Sequence, residues 1–254
     1  MTMSWTGLAL SIGMAVAAGL VGCFAVMRRM ALASDAMSHV ALPGIGLALV
    51  LHLHPALGGL AALLVGTLLI WGLERQTRIS TETLIGVVFS LALAVGSMLA
   101  TGDELVDALL GAPGTLEPWE LALGLAGAAA VAVFVLTQRS RLVIALVSSD
   151  IARTTGIPVA RLELLYLLAF SLTVALGLRY LGVLLMGSLV IIPAATAKHL
   201  ARSLDGMFAI AVAVAVSATL AGEVLAASIH RPTGPVIIAI AAALFLASLL
   251  ARRR

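Results

Sequence analysis

Long apolar stretches, separated by short polar connections, follow one another along nearly the whole chain. A helix needs roughly 20 apolar residues to cross the hydrocarbon core of a bilayer, so each such stretch predicts a transmembrane span. The second stretch is the weakest, because Pro43, Gly44 and Gly46 interrupt it, and it could be broken or re-entrant. The pattern predicts an all-α polytopic membrane protein, a compact bundle of about eight to nine transmembrane helices. The nine candidate spans lie at about residues 5–27, 37–53, 55–73, 81–100, 119–137, 162–179, 181–197, 206–229 and 235–251.

Basic residues are distributed unevenly between these spans. Cytoplasmic loops of membrane proteins are enriched in Lys and Arg. With the N-terminus outside, all of the 15 Lys and Arg residues except Arg179 and Arg231 face the cytoplasm. The connection at residues 101–120 is acidic, has no basic residue and falls outside. We therefore predict a cytoplasmic C-terminus; an external N-terminus requires in addition that the second span crosses completely.

Composition supports this membrane assignment and excludes other classes. Hydrophobic residues make up 62% of the chain and charged residues 11%, against about half and about a quarter in soluble domains. This excludes a water-soluble enzyme and a nucleic-acid-binding chain. The 24 glycines favour close helix packing in a single transmembrane domain over residues 1–254. The single cysteine, Cys23, excludes a multi-thiolate metal site, and the sequence before Lys198, the one lysine, is not a glycine-rich phosphate loop.

A short helix is predicted within the cytoplasmic segment at about residues 138–162, in the sequence SSDIARTTGIP. Ser149 or Asp150 can cap its N-terminus, Gly156 can end it, and Pro158 prevents its continuation. One interpretation is an interfacial helix on the lipid headgroups. The favoured interpretation is a coupling helix that docks a cytoplasmic partner. Its candidate contact residues are Ser149, Asp150, Ile151, Ala152, Arg153 and Gly156.

The sequence SDAMSHVALPG, residues 34–44, contains the first candidate for chemistry. Asp35 and His39 are four residues apart, so they share one face of a helix. A carboxylate and an imidazole at that spacing can hold one divalent metal ion such as zinc or manganese. Pro43 removes the backbone bond to the carbonyl of His39 and predicts a kink there. The simpler interpretation is a histidine hydrogen-bonded to an aspartate near the cytoplasmic end of a helix.

Glu223 is the second candidate, because it lies inside an otherwise apolar span. Ionisable groups in a membrane often mark a pathway or pair with another charge. Glu223 is therefore either a metal ligand or proton carrier of a pathway, or the partner of an arginine such as Arg179.

The remaining histidines and one proline give weaker signals. His52 and His54 lie in an outer hairpin where a turn can bring them together as a metal entry site, although exposed polar residues are the simpler interpretation. His230 is a similar candidate, and His199 is expected to be solvated beside Lys198. Pro193 should bend the seventh span.

Three stretches make the chain resemble the membrane permease subunits of bacterial ABC importers for zinc, manganese and sometimes iron. They are RRMALASDAMSHVALPGIGLAL (28–49), RYLGVLLMGSLVIIPAATAKHLAR (179–202) and HRPTGPVI (230–237). The cytoplasmic SSDIARTTGIP lies where that family has its segment touching the ATPase. One departure is that His230 and Arg231 stand where the family commonly has an acidic residue, which shifts attraction of cations toward the 101–120 loop.

The resemblance implies a homodimer around a central pathway in the bacterial inner membrane. Each copy would dock on a separate cytoplasmic ATP-binding subunit, and an extracytoplasmic metal-binding protein would deliver the ion. Asp35 and His39 match the family's metal-coordinating D-x-x-x-H element. The chain itself would have no catalytic activity and no permanently bound cofactor, because the metal is its cargo.

Two alternatives belong to other functional classes. A stand-alone secondary transporter would couple metal movement to protons through Glu223 and would need no ATPase. An intramembrane hydrolase would use Ser188 as nucleophile with a histidine, although the context MGSL is a weak one for a nucleophile. The sequence leaves the choice of metal open, because an imidazole and a carboxylate accept zinc, manganese or ferrous iron.

Overall fold

The computed structural model describes residues 5–77, 79–99, 118–181 and 183–251, with side chains omitted at residues 5, 31–32, 179–181, 183–185 and 251. Within these ranges the chain forms helices and no strand. We number the helices in chain order as α1 Trp5–Met27, α2 Ala31–Val40, α3 Leu42–Val50, α4 Pro55–Gln76, α5 Thr81–Leu99, α6 Pro118–Val147, α7 Ser149–Thr154, α8 Val159–Leu181, α9 Val183–Leu200, α10 Leu204–Ile229 and α11 Thr233–Ala251.

The predicted polytopic helical fold is confirmed. Eight segments of the described residues are long and apolar enough to cross a membrane. The weak second span is among them as Ala33–Val50, formed by α2 and α3 together. The seventh predicted span, 181–197, corresponds to the 18-residue α9, which is not counted among the eight and continues through Pro193 to Leu200. Most of the predicted acidic loop, residues 101–117, lies outside the described ranges.

Helix α1 is the central element of the bundle. It packs against α6, α8, α9 and α10, and 72% of its span is buried inside the chain. Phe24 of α1 meets Tyr166 of α8 and Phe208 of α10, with ring centroids 6.2 and 5.6 Å apart. Small side chains dominate the rest of α1, so its neighbours approach closely and gain dispersion contacts where lipid provides no hydrophobic driving force.

Helix α6 is longer than the predicted fifth span. Its 30 residues reach about 45 Å at 1.5 Å per residue, which exceeds the roughly 30 Å hydrocarbon core. The helix therefore extends beyond the hydrocarbon core. It continues through the polar residues that follow Leu136 and ends at Val147. Hydropathy marks where a helix leaves lipid, but not where the helix itself ends.

The short helix predicted in SSDIARTTGIP is present as α7, but the prediction of its cap is wrong. Ser148, not Ser149 or Asp150, has extended backbone angles and accepts a hydrogen bond at Oγ from Ile151 N, 3.3 Å away. Ser149 and Asp150 lie inside the first turn, because α6 ends one residue before Ser148. At the other end, Gly156 has φ +78°, the left-handed conformation of a Schellman C-cap.

Contacts between helix termini define two opposite ends of the bundle. At one end, Arg28 after α1 lies 3.9 Å from Glu163 near the start of α8, and Lys198 late in α9 donates to the carbonyl of Val26, 3.4 Å away. At the other end, His54 before α4 lies 3.6 Å from Glu120 at the start of α6. We call the first the basic end.

Candidate functional site

Helices α2 and α3 meet at Ala41, which keeps helical backbone angles of φ −71° and ψ −25°. Pro43 is the second residue of α3, a position where a helix tolerates proline because the missing N–H has no partner within the helix. The break in hydrogen bonding thus falls directly after the segment that contains Asp35 and His39. Pro43 therefore lies where α2 ends and α3 begins, and both helices remain within the same membrane-spanning segment.

Asp35 and His39 lie on one face of α2, because the helix is unbroken between them. Asp35 is exposed in the isolated chain, and it forms no ion pair with any described residue. His39 is half-buried, with its ring centroid 5.5 Å from that of Phe89 on α5. Its Nδ1 atom is buried and has no hydrogen-bond partner among the described residues. An unsatisfied buried imidazole nitrogen is a group that a metal ion or a proton donor can satisfy.

The face of α2 next to Asp35 contacts α9 and so fixes the position of Asp35 relative to that helix. Ser34 is fully buried and donates from Oγ to the carbonyl of Gly187, 3.1 Å away. A Cβ added to Gly187 would lie only 2.9 Å from Asp35 Cα. The backbone of α9 therefore approaches Asp35 closely, and glycine is required at position 187 because a side chain would push the aspartate away.

Two ligands from one chain do not complete a metal site. Among the described residues no group of three or more His, Cys, Asp or Glu side chains is arranged to hold a metal ion. Zinc ordinarily takes four ligands. The geometry of α2 thus places an exposed carboxylate and a half-buried imidazole, the two candidate ligands, on one face of a membrane-spanning segment.

Glu223 is separate from this element in the packing of the bundle. It is half-buried on α10, which packs against α1, α9 and α11, whereas α2 packs mainly against α9 and α5. The side chain of Arg179, its predicted partner, lies outside the described part of the structure. The pairing of Glu223 with Arg179 therefore stays a prediction.

The other histidines belong to no group of three or more metal-binding side chains among the described residues, and the pairing of His52 with His54 stays a prediction. His52 is exposed with φ 55°, whereas His54 contacts Glu120 and has its ring centroid 6.2 Å from that of Trp119. His230 is exposed at the C-terminus of α10. His199 departs from its predicted solvation, since it is half-buried with Nε2 inside the protein.

Sequence reasoning missed Ser34, Phe89 and Gly187. One signal for Ser34 was available, because the sequence SDAMSH repeats a serine directly before each candidate ligand and so places Ser34 and Ser38 on a face adjacent to Asp35 and His39. Ser38 is fully buried and donates to the carbonyl of Ser34, 2.8 Å away. Phe89 and Gly187 gave no signal, because their contacts depend on tertiary packing.

Comparisons with known proteins agree with the fold. A family model described as the ABC 3 transport family matches residues 2–252. The high-affinity zinc uptake system membrane protein ZnuB of Haemophilus influenzae is 30% identical over 254 residues, covering 98% of this chain and 96% of ZnuB. The manganese transport system membrane protein MntC of Halalkalibacterium halodurans is 30% identical over 235 residues, covering 89% of this chain and 80% of MntC.

A solved structure shares the architecture. PsaBC from Streptococcus pneumoniae, determined in complex with a Fab, contains a chain that superposes with a TM-score of 0.82 at 28% identity. The match covers 96% of the present chain and 89% of the other. The helical arrangement described above is therefore shared with a chain of PsaBC.

Proposed function

The chain belongs to the ABC 3 transport family, and on that premise we propose that it is the transmembrane permease subunit of an ATP-driven importer for divalent transition-metal ions. The cargo is zinc or manganese, with ferrous iron chemically compatible as well. Relatives named for zinc and for manganese support this range. A mixed imidazole and carboxylate pair suits each of these ions, and affinity order alone does not choose between them.

The observation that carries the proposal is the two-ligand element of α2. Asp35 is exposed on a membrane-spanning segment, and His39 has a buried nitrogen without a partner. An ionised carboxylate facing lipid is unfavourable, so this face belongs against another protein surface or a hydrated passage. A second copy of the chain, related by a two-fold axis, would bring a second aspartate and histidine and complete four ligands. An ion held by such an assembled site can be released when the two copies move apart.

The proposed ATPase contact is the α7 helix within residues 138–162. Ser149, Asp150, Ile151 and Arg153 are exposed, while Ala152 is fully buried and fixes the helix to the bundle. Ile151 is a large apolar side chain with 56% of its surface exposed, as expected for a residue that a partner covers. Gly156 ends the helix sharply, so α7 presents one short, rigid surface. The ATP-binding subunit would supply the energy of ATP hydrolysis, because the sequence of this chain has no phosphate loop with which to bind ATP.

The orientation follows from charge. The basic end of the bundle would face the cytoplasm, together with α7 and the C-terminus, because positively charged segments are retained on that side. The extracytoplasmic metal-binding protein would then deliver its ion at the opposite end, near His54 and Glu120. The single domain over residues 1–254 would lie in the bacterial inner membrane.

Uptake by reconstituted complexes tests the proposal. The chain is co-purified with its candidate ATP-binding subunit, placed in lipid vesicles with a candidate metal-binding protein, and supplied with radioactive Zn²⁺ or Mn²⁺. We expect ATP-dependent uptake of at least one ion, and at least about a tenfold loss in Asp35→Asn and His39→Gln, because each removes a direct ligand. The matched control is Glu223→Gln, which removes a carboxylate from another membrane helix and should stay within about twofold of the unmodified chain.

The outcomes separate the alternatives. Unchanged uptake in both Asp35→Asn and His39→Gln would remove the site assignment. ATP-independent, proton-coupled uptake that Glu223→Gln abolishes would instead support the stand-alone secondary transporter.

A further inference from the structure

A half-buried charged cluster at the basic end has no part in the site described above. The Arg28 side chain is 13% exposed, with its guanidinium carbon 5.1 Å from the centre of the Tyr166 ring and a terminal nitrogen 3.9 Å from Glu163. Tyr166 is fully buried and donates its hydroxyl to the carbonyl of Val21, 3.2 Å away. Arg28 thus joins the end of α1 to the start of α8 through an ion pair and a cation–π contact.

Glu163 connects this cluster to α7. Its carboxylate lies near the Arg28 guanidinium, and only residues 155–158 separate its helix α8 from α7. The link between α7 and α8 is short and hydrogen-bonded, since Ile157 N donates to the carbonyl of Ala152 at 2.9 Å and Leu162 N to that of Pro158 at 3.0 Å. A displacement of α7 would therefore be passed to the first turn of α8, directly before Glu163.

Arg28 connects the same cluster to α2. It caps α1, and the next residue, Arg29, takes φ 61°, a left-handed conformation that usually requires glycine. Met30 closes this turn by donating its N–H to the carbonyl of Ala25 at 2.9 Å, and its side chain is buried. Helix α2 begins at the following residue and reaches Asp35 within little more than one turn. Because this turn is short and hydrogen-bonded, a movement of Arg28 would move the start of α2, which carries the candidate ligands.

From these two connections we propose that Arg28 is a positioning residue, which transmits displacement of α7 through Glu163 to the start of α2 and so to Asp35 and His39. The inference rests on the proposed function, because α7 moves only if an ATPase drives it. The 3.9 Å separation of Arg28 and Glu163 exceeds the roughly 2.8 Å of a hydrogen-bonded ion pair. The pair therefore has room to close by about 1 Å, and the proposed role requires that it close when α7 is displaced.

The test compares substitutions in the pair Arg28–Glu163 with a substitution in a second, exposed ion pair, and it uses the vesicles described above. Glu163→Gln removes one charge with little change of shape, and Arg28→Lys keeps the charge but loses the planar group that stacks on Tyr166. The matched control is Arg139→Gln, which breaks the exposed pair between Arg139 and Asp205. ATP hydrolysis and uptake of Zn²⁺ or Mn²⁺, whichever ion the unmodified complex takes up faster, are measured on the same preparation.

We expect Glu163→Gln and Arg28→Lys to assemble and hydrolyse ATP while the metal transported per ATP falls about tenfold, a typical size for lost coupling between sites. Arg139→Gln should keep that ratio within about twofold, because exposed ion pairs contribute little. An unchanged ratio in both cluster variants, or failure of both to assemble, would make the pair purely structural and overturn the proposal. If the unmodified complex hydrolyses ATP but takes up neither ion, the proposed function itself fails, and the positioning role fails with it.

Discussion

The two halves of the second span, α2 and α3, meet their neighbours in opposite ways. Helix α3 packs on α4 through glycines that face each other, since a Cβ on Gly44 would overlap the carbonyl of Gly58 and a Cβ on Gly58 would overlap that of Gly44. Helix α2 instead uses polar side chains, with Ser34 bonded to α9 and Asp35 left exposed. One half is held by backbone contact, whereas the other presents groups that can bind an ion.

The difference shows how one span can combine a rigidly packed half with a half whose polar groups are available for binding. Backbone contact leaves no side chain that can change its rotamer, so α3 and α4 form a fixed hairpin. The polar half is attached to α9 through the hydrogen bond of Ser34 and to α1 through the turn at Arg29, so a displacement at either attachment would move it. Proline at the junction separates the two, because it removes the hydrogen bond that would make them one helix.

The largest expected effect comes from breaking the rigid half. Gly44→Ala places a methyl group against the Gly58 carbonyl, and overpacking of this kind destabilises by about 3 kcal/mol. The matched control is Gly72→Ala on α4, where a Cβ would have no neighbour within 4 Å. The midpoint of thermal unfolding in detergent should fall clearly for Gly44→Ala and stay level or rise for Gly72→Ala. Equal midpoints would show that the hairpin is not closely packed.

The next effect comes from joining the two halves. Pro43→Ala restores an N–H that can reach the carbonyl of His39, so α2 and α3 should merge and His39 should rotate relative to its neighbours. Stability should change by less than about 1 kcal/mol, whereas the proposed ATP-driven metal uptake should fall about tenfold because His39, the proposed ligand, is misplaced. The control is Pro55→Ala at the first residue of α4, where a missing N–H interrupts no helical bond. Full uptake by Pro43→Ala would mean that the junction has no role in placing the ligand.

Much of the fold could be predicted from the sequence, because a bilayer imposes one length and one hydropathy on every span. Each of the nine apolar stretches contains a helix, including the doubtful second one. The end of α6 was missed since a helix can continue in water beyond its apolar part. The cap of α7 was misplaced by one residue because Ser148, Ser149 and Asp150 are all good caps, and the end of α6 decides among them.

Less of the site could be predicted, because it depends on contacts between distant segments. The spacing of Asp35 and His39 indicated a shared helix face, which the helical backbone of α2 provides. The glycine that admits Asp35 against α9 and the glutamate that faces Arg28 lie more than 100 residues further along the chain. Nothing in local sequence indicates that Gly187 and Glu163 are neighbours of residues near position 30.

The smallest expected effect separates the two serines of the polar half. Ser34→Ala removes the buried hydrogen bond to Gly187 that ties α2 to α9, and such a bond between membrane helices contributes about 0.6 to 1 kcal/mol. Ser38→Ala removes a bond within α2 itself, to the carbonyl of Ser34, so the attachment to α9 survives. Equilibrium unfolding in mixed micelles should therefore register the first substitution and leave the second within about 0.5 kcal/mol of the unmodified chain. If both serines prove neutral, α2 is held against α9 by the close approach at Gly187 alone, and its attachment would resemble the glycine contact of α3 after all.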